Sequence, residues 1–525
     1  MSDEQQIMNR RQVLAGLGAA GATALAGCAG VAESSSTDTL RVATLRPPVI
    51  LDPIELNGIG SAQVAGAIFA GLYSYGERAT TVPQLATGKP RVTEDGTVYE
   101  CTLEPNARFQ NDQPVTPEDV KYSFEAPVEE DTANAGDVEM IERIEAVGDR
   151  TLRFHLKYPY PAFEHTLTRA IVPKSVREAK GDGFGEDPVG AGPFELESFS
   201  PETKATVSRW DDYWGELKPD ISTLTMLHVE SPITRITSLI IGQNTMLEPV
   251  PSRLWNFLET RDNISVAAKP GYTSYFVGFN CHEGPTEHRK VRKAIDYCLD
   301  MDEAVEQFVG QSGRRAYSPL PPKLAAEWNF PTEKWQAIPK TKNLGRAKEL
   351  FSTADFSNWK PQILIPKDPA REAIANAIVK GLHQAGFANA SISQFKWGSF
   401  LEARLTGIPS KYDMYIGGWA APPDPDSYLY PLVHENQVGK THGLFYNNDE
   451  VMTELQQARQ TRNRKRRKRL YESAITTVLE DRALLPAFSR KNSFAIKDKV
   501  RDFRVHPLAE VNPWLVSQNH NVSIN

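Results

Sequence analysis

Cysteine is scarce in this chain: there are four in 525 residues, at positions 28, 101, 281 and 298. So few cannot staple a chain of this length, and the fold does not depend on disulfides. Cys28 closes an export-type leader, described below, so three remain, and an odd number in an exported protein leaves at least one free thiol. Cys101 falls on the apolar side of an alternating run and Cys298 in a helix-like run, so both read as small core residues. A Cys281–Cys298 bridge stays open as an alternative. Catalytic signatures are also missing. The chain has no Gly-x-Ser-x-Gly, no His-Glu-x-x-His, no Cys-x-x-Cys and no Walker loop. Acids are abundant, so a carboxylate pair of the glycosidase kind keeps an exported hydrolase as a competing class. No segment after the leader reaches ~18 consecutive apolar residues, so none reads as a membrane span. Charge of one sign is modest: 59 basic against 66 acidic residues gives −7, which argues against a nucleic-acid partner.

What is present begins with an address. Arg10 and Arg11 stand before an apolar, Gly/Ala-rich run that ends Leu25-Ala26-Gly27-Cys28. The run is too short to cross a bilayer and fits a signal segment, and twin arginines point to export of an already folded protein. Residues 1–28 are therefore expected to be a Tat-type lipoprotein signal, with Cys28 carrying the lipid, and residues 29–38 a polar tether. The alternative is an Ala-rich helix that stays on the protein. The remainder is long enough for roughly three domain-sized units.

Residues 82–124 are the most informative stretch. Glu94-Asp95-Gly96-Thr97 places Asp-Gly between two strand-like runs, where a tight hairpin needs positive φ. Tyr99, Cys101 and Leu103 alternate with Glu100, Thr102 and Glu104, giving one apolar and one wet face. Thr116-Pro117-Glu118-Asp119 predicts a helix start, with Thr116 as cap, Asp119 reaching back, and Val115 against Val120 as a staple. The same stretch carries Pro83-x-Leu85-Ala86, the Glu-Asp-Gly turn, Arg108-Phe109, Pro114-Val115-Thr116, Glu118-Asp119-Val120 and Ser123-Phe124. In that order and spacing it resembles the solute-binding proteins of ABC importers, family 5, the peptide/nickel class. Further matches lie at Leu51-Asp52-Pro53, Ala70-Gly71-Leu72, Gly190-Ala191-Gly192-Pro193-Phe194, Tyr213-Trp214-Gly215, Phe279-Asn280 and Val291-Arg292-Lys293-Ala294-Ile295. Gly242-Gln243-Asn244-Thr245 lacks the acid that ends the family's corresponding segment.

Along the chain, Leu40–Thr44 and residues 151–157 read as strands, and residues 291–309 as one amphipathic helix. From residue 362 strands alternate with helices, which implies parallel crossovers. The basic run 459–469 continues at helical spacing without interleaved aromatics and reads as a solvated helix face. Residues 484–488 and 492–496 read as two closing strands. His282, Glu283, Glu287 and His288 fit no standard ligand spacing, so no metal is expected.

The resemblance implies an α/β, two-lobe periplasmic-binding-protein-like fold with an additional third domain. The first lobe would combine 39–72, 190–269 and 487–513, the extra domain would be 73–189, and the opposite lobe 270–486, with two crossings acting as a hinge. It also implies an extracytoplasmic, lipid-anchored monomer that captures an oligopeptide-like ligand and delivers it to ABC permease subunits. Oligosaccharide and chelated nickel are alternatives; no cofactor, catalytic residue or nucleic-acid partner is implied. By the same resemblance the ligand site comprises Gly417, Gly418, Trp419 and Ala420 on a cleft strand, with Trp397, Arg404 and Asn280. Peptide-binding relatives hold the ligand's ammonium with an Asp three residues after the cleft tryptophan, where this chain has Pro422. Asp424 or Asp426 is expected to replace it, or unblocked short peptides are not the best ligands.

Overall fold

The computed structural model describes residues 38–338, 341–352, 356, 358–408 and 411–525. The leader with Arg10, Arg11 and Cys28 lies outside the described residues. The hairpin forms as its residues dictate: Arg91–Thr93 pairs antiparallel with Val98–Thr102, and the turn holds Glu94, Asp95 and Gly96 all at positive φ. Tyr99, Cys101 and Leu103 are buried. The helix Pro117–Glu129 starts with a complete capping box, in which the Thr116 side chain accepts from the Asp119 amide and the Asp119 carboxylate accepts from the Thr116 amide. Val115 and Val120 are both buried beside it.

These elements belong to an extra domain with its own four-stranded sheet, which also contains Ile141–Val147 and Thr151–Leu156. Its core packs Tyr99, Phe124, Phe154 and Phe163 edge to face or tilted. The two lobes share a larger sheet. Among the described residues, twelve strands join it, and Leu484–Lys497 is the member common to both lobes. At its start it pairs with Thr273–Phe279 of one lobe, and further on with Met246–Glu248 and Ile264–Pro270 of the other. The first lobe adds Thr39–Thr44 parallel to Thr223–His228 and to Met246–Glu248. The opposite lobe adds Met414–Ala420, Gln362–Pro366 and Ser391–Phe395, the last two parallel, with helix Pro369–Ala385 between them. Mixed strands covered by helices around a cleft form the two-lobe periplasmic-binding-protein architecture with an extra domain.

Several expectations need correction. The closing segment is one strand and not two, because Arg490 and Lys491 interrupt its apolar pattern while their backbones stay paired with Gly313 and Pro270. The helix expected over 291–309 breaks into Arg289–Asp296 and Met301–Phe308, since the Asp300 carboxylate accepts from the Asp302 and Glu303 amides and starts a new helix. Cys281 and Cys298 are both free, as is Cys101. The basic run is not uniformly solvated: Arg459 and Arg467 are turned inward, and their arginine heads pair with buried acids.

Candidate functional site

Between the lobes lies a cavity of about 1880 Å³. Drug-sized ligands fill roughly 300–1,000 Å³, so this space suits a longer ligand or a shorter one with water. Part of its wall is the end of the strand Met414–Ala420, from Gly418 onward. Along one edge this strand pairs fully with Thr273–Phe279, from Met414 opposite Phe279 to Ala420 opposite Thr273. Along its other edge, Gln362–Pro366 pairs only with Met414 and Tyr415. From Ile416 onward that edge has no strand partner among the described residues, and Gly418, Trp419 and Ala420 line the cavity there. An unpaired edge of N–H and C=O groups is a template for another extended chain.

The side chains around this edge are aromatic and cationic. Trp419 is half-buried and fixed by its Nε1, which donates to Ser427 O at 2.8 Å. Trp397 opens the helix Trp397–Leu405 and reaches toward the first lobe, where a β-carbon on Gly58 would lie 3.4 Å from its Nε1. Arg371 lies between the rings, with its guanidinium carbon 5.0 Å from the Tyr275 ring centre and 5.6 Å from that of Trp397. Its Nη1 donates to Ile416 O at 3.4 Å, and its buried Nε has no hydrogen-bond partner among the described residues. Arg404 is 6% exposed, lies 5.7 Å from the Tyr415 ring centre, and also has an unpartnered Nε. Burial pulls the Arg404 guanidinium below its ordinary pKa. Neither arginine has a carboxylate within ion-pair distance among the described residues, whereas the neighbouring Arg490 does: it holds both oxygens of Asp368 at 3.0 and 3.1 Å. Burial pushes the Asp368 carboxyl up, but Arg490 and Arg371 together hold it well below the usual range. Two buried guanidiniums on a cavity wall, neither with a carboxylate in ion-pair distance among the described residues, can accept an anionic group such as a carboxylate.

Of the expected site residues, the structure brings Gly418, Trp419, Ala420, Trp397 and Arg404 to the cavity wall. Gly417 is on the strand but off the wall. Its glycine character answers packing, because a β-carbon would come within 2.9 Å of the Tyr415 ring. Asn280 is fully buried, with its Nδ2 donating to Gly407 O at 3.0 Å and its Oδ1 accepting from the His282 amide, so it cannot meet a ligand. Asp424 and Asp426, the expected stand-ins for an ammonium anchor, are each held by an arginine. Asp424 is off the wall and takes both Arg467 nitrogens, at 3.0 and 2.7 Å. Asp426 lines the cavity but accepts from Arg459 at 2.5 Å, Tyr160 at 2.9 Å and Tyr471 at 3.2 Å. Arg459 goes on to Tyr158 and Glu139, so this cluster ties the opposite lobe to the extra domain. Burial lowers the Arg459 guanidinium, yet Asp426 and the tyrosines hold its pKa well above the ordinary value.

Sequence reasoning missed Arg371. It stands third in the helix Pro369–Ala385, where the positive end of the helix dipole disfavours a cation. A basic residue kept in a first turn is the signal that was available.

A sheet spanning two lobes, with a cleft at strand ends, is an arrangement suited to holding a ligand. Residues 80–440 match the bacterial extracellular solute-binding proteins, family 5 Middle, and the chain belongs to that family. The glutathione-binding protein GsiB of Shigella flexneri serotype 5b is 26% identical over 472 residues, covering 87% of this chain and 90% of that protein. The dipeptide binding protein from Pseudoalteromonas sp. SM9913, in complex with Met-Leu, is similar in structure at TM-score 0.83 and 21% identity, covering 93% of this chain and 100% of that one. The oligopeptide-binding protein AppA from Bacillus subtilis, in complex with a nonapeptide, gives TM-score 0.81 and 19% identity over 93% and 99% of the two chains. The relatives are binding proteins of ABC transporters and not enzymes, which sets the hydrolase reading aside at the level of the family.

Proposed function

We propose that the protein captures an oligopeptide-like ligand with a free carboxylate between its lobes and delivers it to the membrane subunits of an ABC importer. It would do so as a monomer outside the membrane, held there by lipid on Cys28. The observation that carries the ligand class is the strand edge that has no strand partner beyond Tyr415 among the described residues, and whose Gly418, Trp419 and Ala420 line the cavity. An extended ligand would add there as a strand, its backbone bonds giving affinity independent of side chains. Trp419 and Trp397 would flank it, and Arg371 and Arg404 would take its carboxylate. The relatives that bind a dipeptide, a nonapeptide and glutathione by name agree with this class. An oligosaccharide could stack on the two tryptophans, but it would leave both arginines without an anion.

Mass spectrometry of peptides retained from a thermolysin digest of casein tests the reading. Peptides should be captured, and methyl esterification of their carboxylates should abolish capture. Arg371→Ala should weaken it at least about thirtyfold, the lower end of what losing one partner of a buried charge pair does. Retention of nothing, or of esterified peptides equally well, would refute the proposal. Replacing Arg10 and Arg11 by Lys should block export, and an unmodified Cys28 on mature protein would remove the lipid anchor from the account.

A further inference from the structure

The first-lobe wall of the cavity carries two side chains, each with a buried oxygen that has no hydrogen-bond partner among the described residues. Gln63 lies in the helix Ile59–Ile68 and Glu510 in the short turn Ala509–Val511, and both line the cavity. The elements are joined by a hydrogen bond from Gln63 Nε2 to Ala509 O at 3.1 Å. That bond fixes which end of the amide is the donor and leaves Oε1 as a free acceptor. Gln63 Oε1 and Glu510 Oε2 are both buried, and neither has a hydrogen-bond partner among the described residues.

Neighbouring groups are already engaged. Arg46, the cation acting on Glu510, is held by Glu248 at 3.1 Å. The Tyr428 hydroxyl bonds to the Tyr272 and Ala421 carbonyls, and that of Tyr75 faces His165 at 3.3 Å. The buried acids that line the cavity from the opposite lobe, Asp368 and Asp426, each have an arginine. Among the described residues Glu510 has no ion-pair partner within 4 Å. Its next residue, Val511, packs against the same apolar cluster that Trp419 packs against.

We propose that Gln63 and Glu510 form a cation subsite in the first-lobe wall that takes the ammonium group of the captured peptide. An ammonium brings three N–H donors and one positive charge to a place with two free acceptors and one negative charge. Burial raises the Glu510 carboxyl above its ordinary pKa, and an arriving cation reverses that shift. The subsite supplies, from the other lobe, the ammonium partner that Pro422 cannot. It rests on the peptide reading and adds direction to it: the carboxylate lies on Arg371 and Arg404 of one lobe and the ammonium on the opposite lobe, so one ligand draws both walls together.

The test compares capture of the casein digest before and after N-acetylation. The wild-type protein should retain free-amine peptides about tenfold over acetylated ones, and Glu510→Gln should bring the ratio to within about twofold while peptides with free carboxylates are still retained. Carbodiimide labelling of wild-type carboxylates gives a readout that needs no variant to fold: free-amine peptides should shield Glu510, and acetylated ones should not. Equal retention of both pools, or a preference that persists in Glu510→Gln, overturns the subsite and leaves the peptide reading standing. Retention of neither pool overturns that reading and the subsite with it.

Discussion

Replacing Arg459 by Ala removes the centre of the cluster that joins the opposite lobe to the extra domain. The side chain is 3% exposed and its partner Asp426 is 1% exposed. The Arg459 guanidinium carbon also lies 4.0 Å from the Tyr430 ring centre and 4.7 Å from that of Tyr160. Removing one member of a buried ion pair costs about 3–5 kcal/mol, because the remaining charge stays desolvated. Tyr160 and Tyr471 still donate to Asp426, which moderates the loss, while two cation–ring contacts of about 0.5–2 kcal/mol each add to it. A destabilisation of about 4 kcal/mol is expected in urea unfolding. Lys465→Ala, on the exposed part of the same basic run, should change stability by less than about 0.5 kcal/mol. Asp426→Ala combined with Arg459→Ala should cost less than the two singles added, since the double variant leaves no uncompensated charge. A loss under about 1 kcal/mol for Arg459→Ala would refute the assignment of this arginine to a desolvated pair.

Two further outcomes follow from local chemistry. Thr116→Ala removes half of a capping box and should cost about 1 kcal/mol in unfolding experiments, with Thr116→Ser close to neutral. Burial lowers His434, His442 and His506 to about 4 each. Unfolded they titrate near ~6.5, so between those values the unfolded chain binds more protons and acidification favours unfolding, by up to about 3 kcal/mol per group. Asp413, raised by burial to about 6, acts in the opposite sense, as do the burial-raised carboxyls of Asp137, Asp426 and Glu510. Replacing His442 by Gln should therefore raise melting temperature at pH ~4 relative to pH ~6.5 when each is compared with the wild type, and an equal difference at both pH values would contradict this account.

Where a structural decision rests on neighbours in sequence, the residues disclosed it. The Asp-Gly hairpin, the Thr116 cap and the alternating elements after residue 362 depend on contacts a few positions apart. The buried pairs depend on residues 33 and 43 positions apart, Asp426 with Arg459 and Asp424 with Arg467. Composition made the arginines look solvated and the acids look available, and only the fold shows that they neutralise one another. The strand Leu484–Lys497 was hidden in the same way, since charged side chains in its middle conceal a backbone that pairs throughout. For the site, the glycine-tryptophan strand was legible because its sequence is unusual. Gln63 and Glu510 are 447 residues apart in number, and no local pattern marks either one.

Amide exchange in the strand Met414–Ala420 tests the central claim most directly. A digest peptide retained by the protein should slow exchange at any of Gly417 to Ala420 whose N–H faces the unpaired edge, because an extended ligand would take those hydrogen bonds. Met414 and Tyr415, already paired on both sides, should not change. Bound peptide with unaltered exchange at every amide from Gly417 to Ala420 would contradict strand addition as the mode of capture.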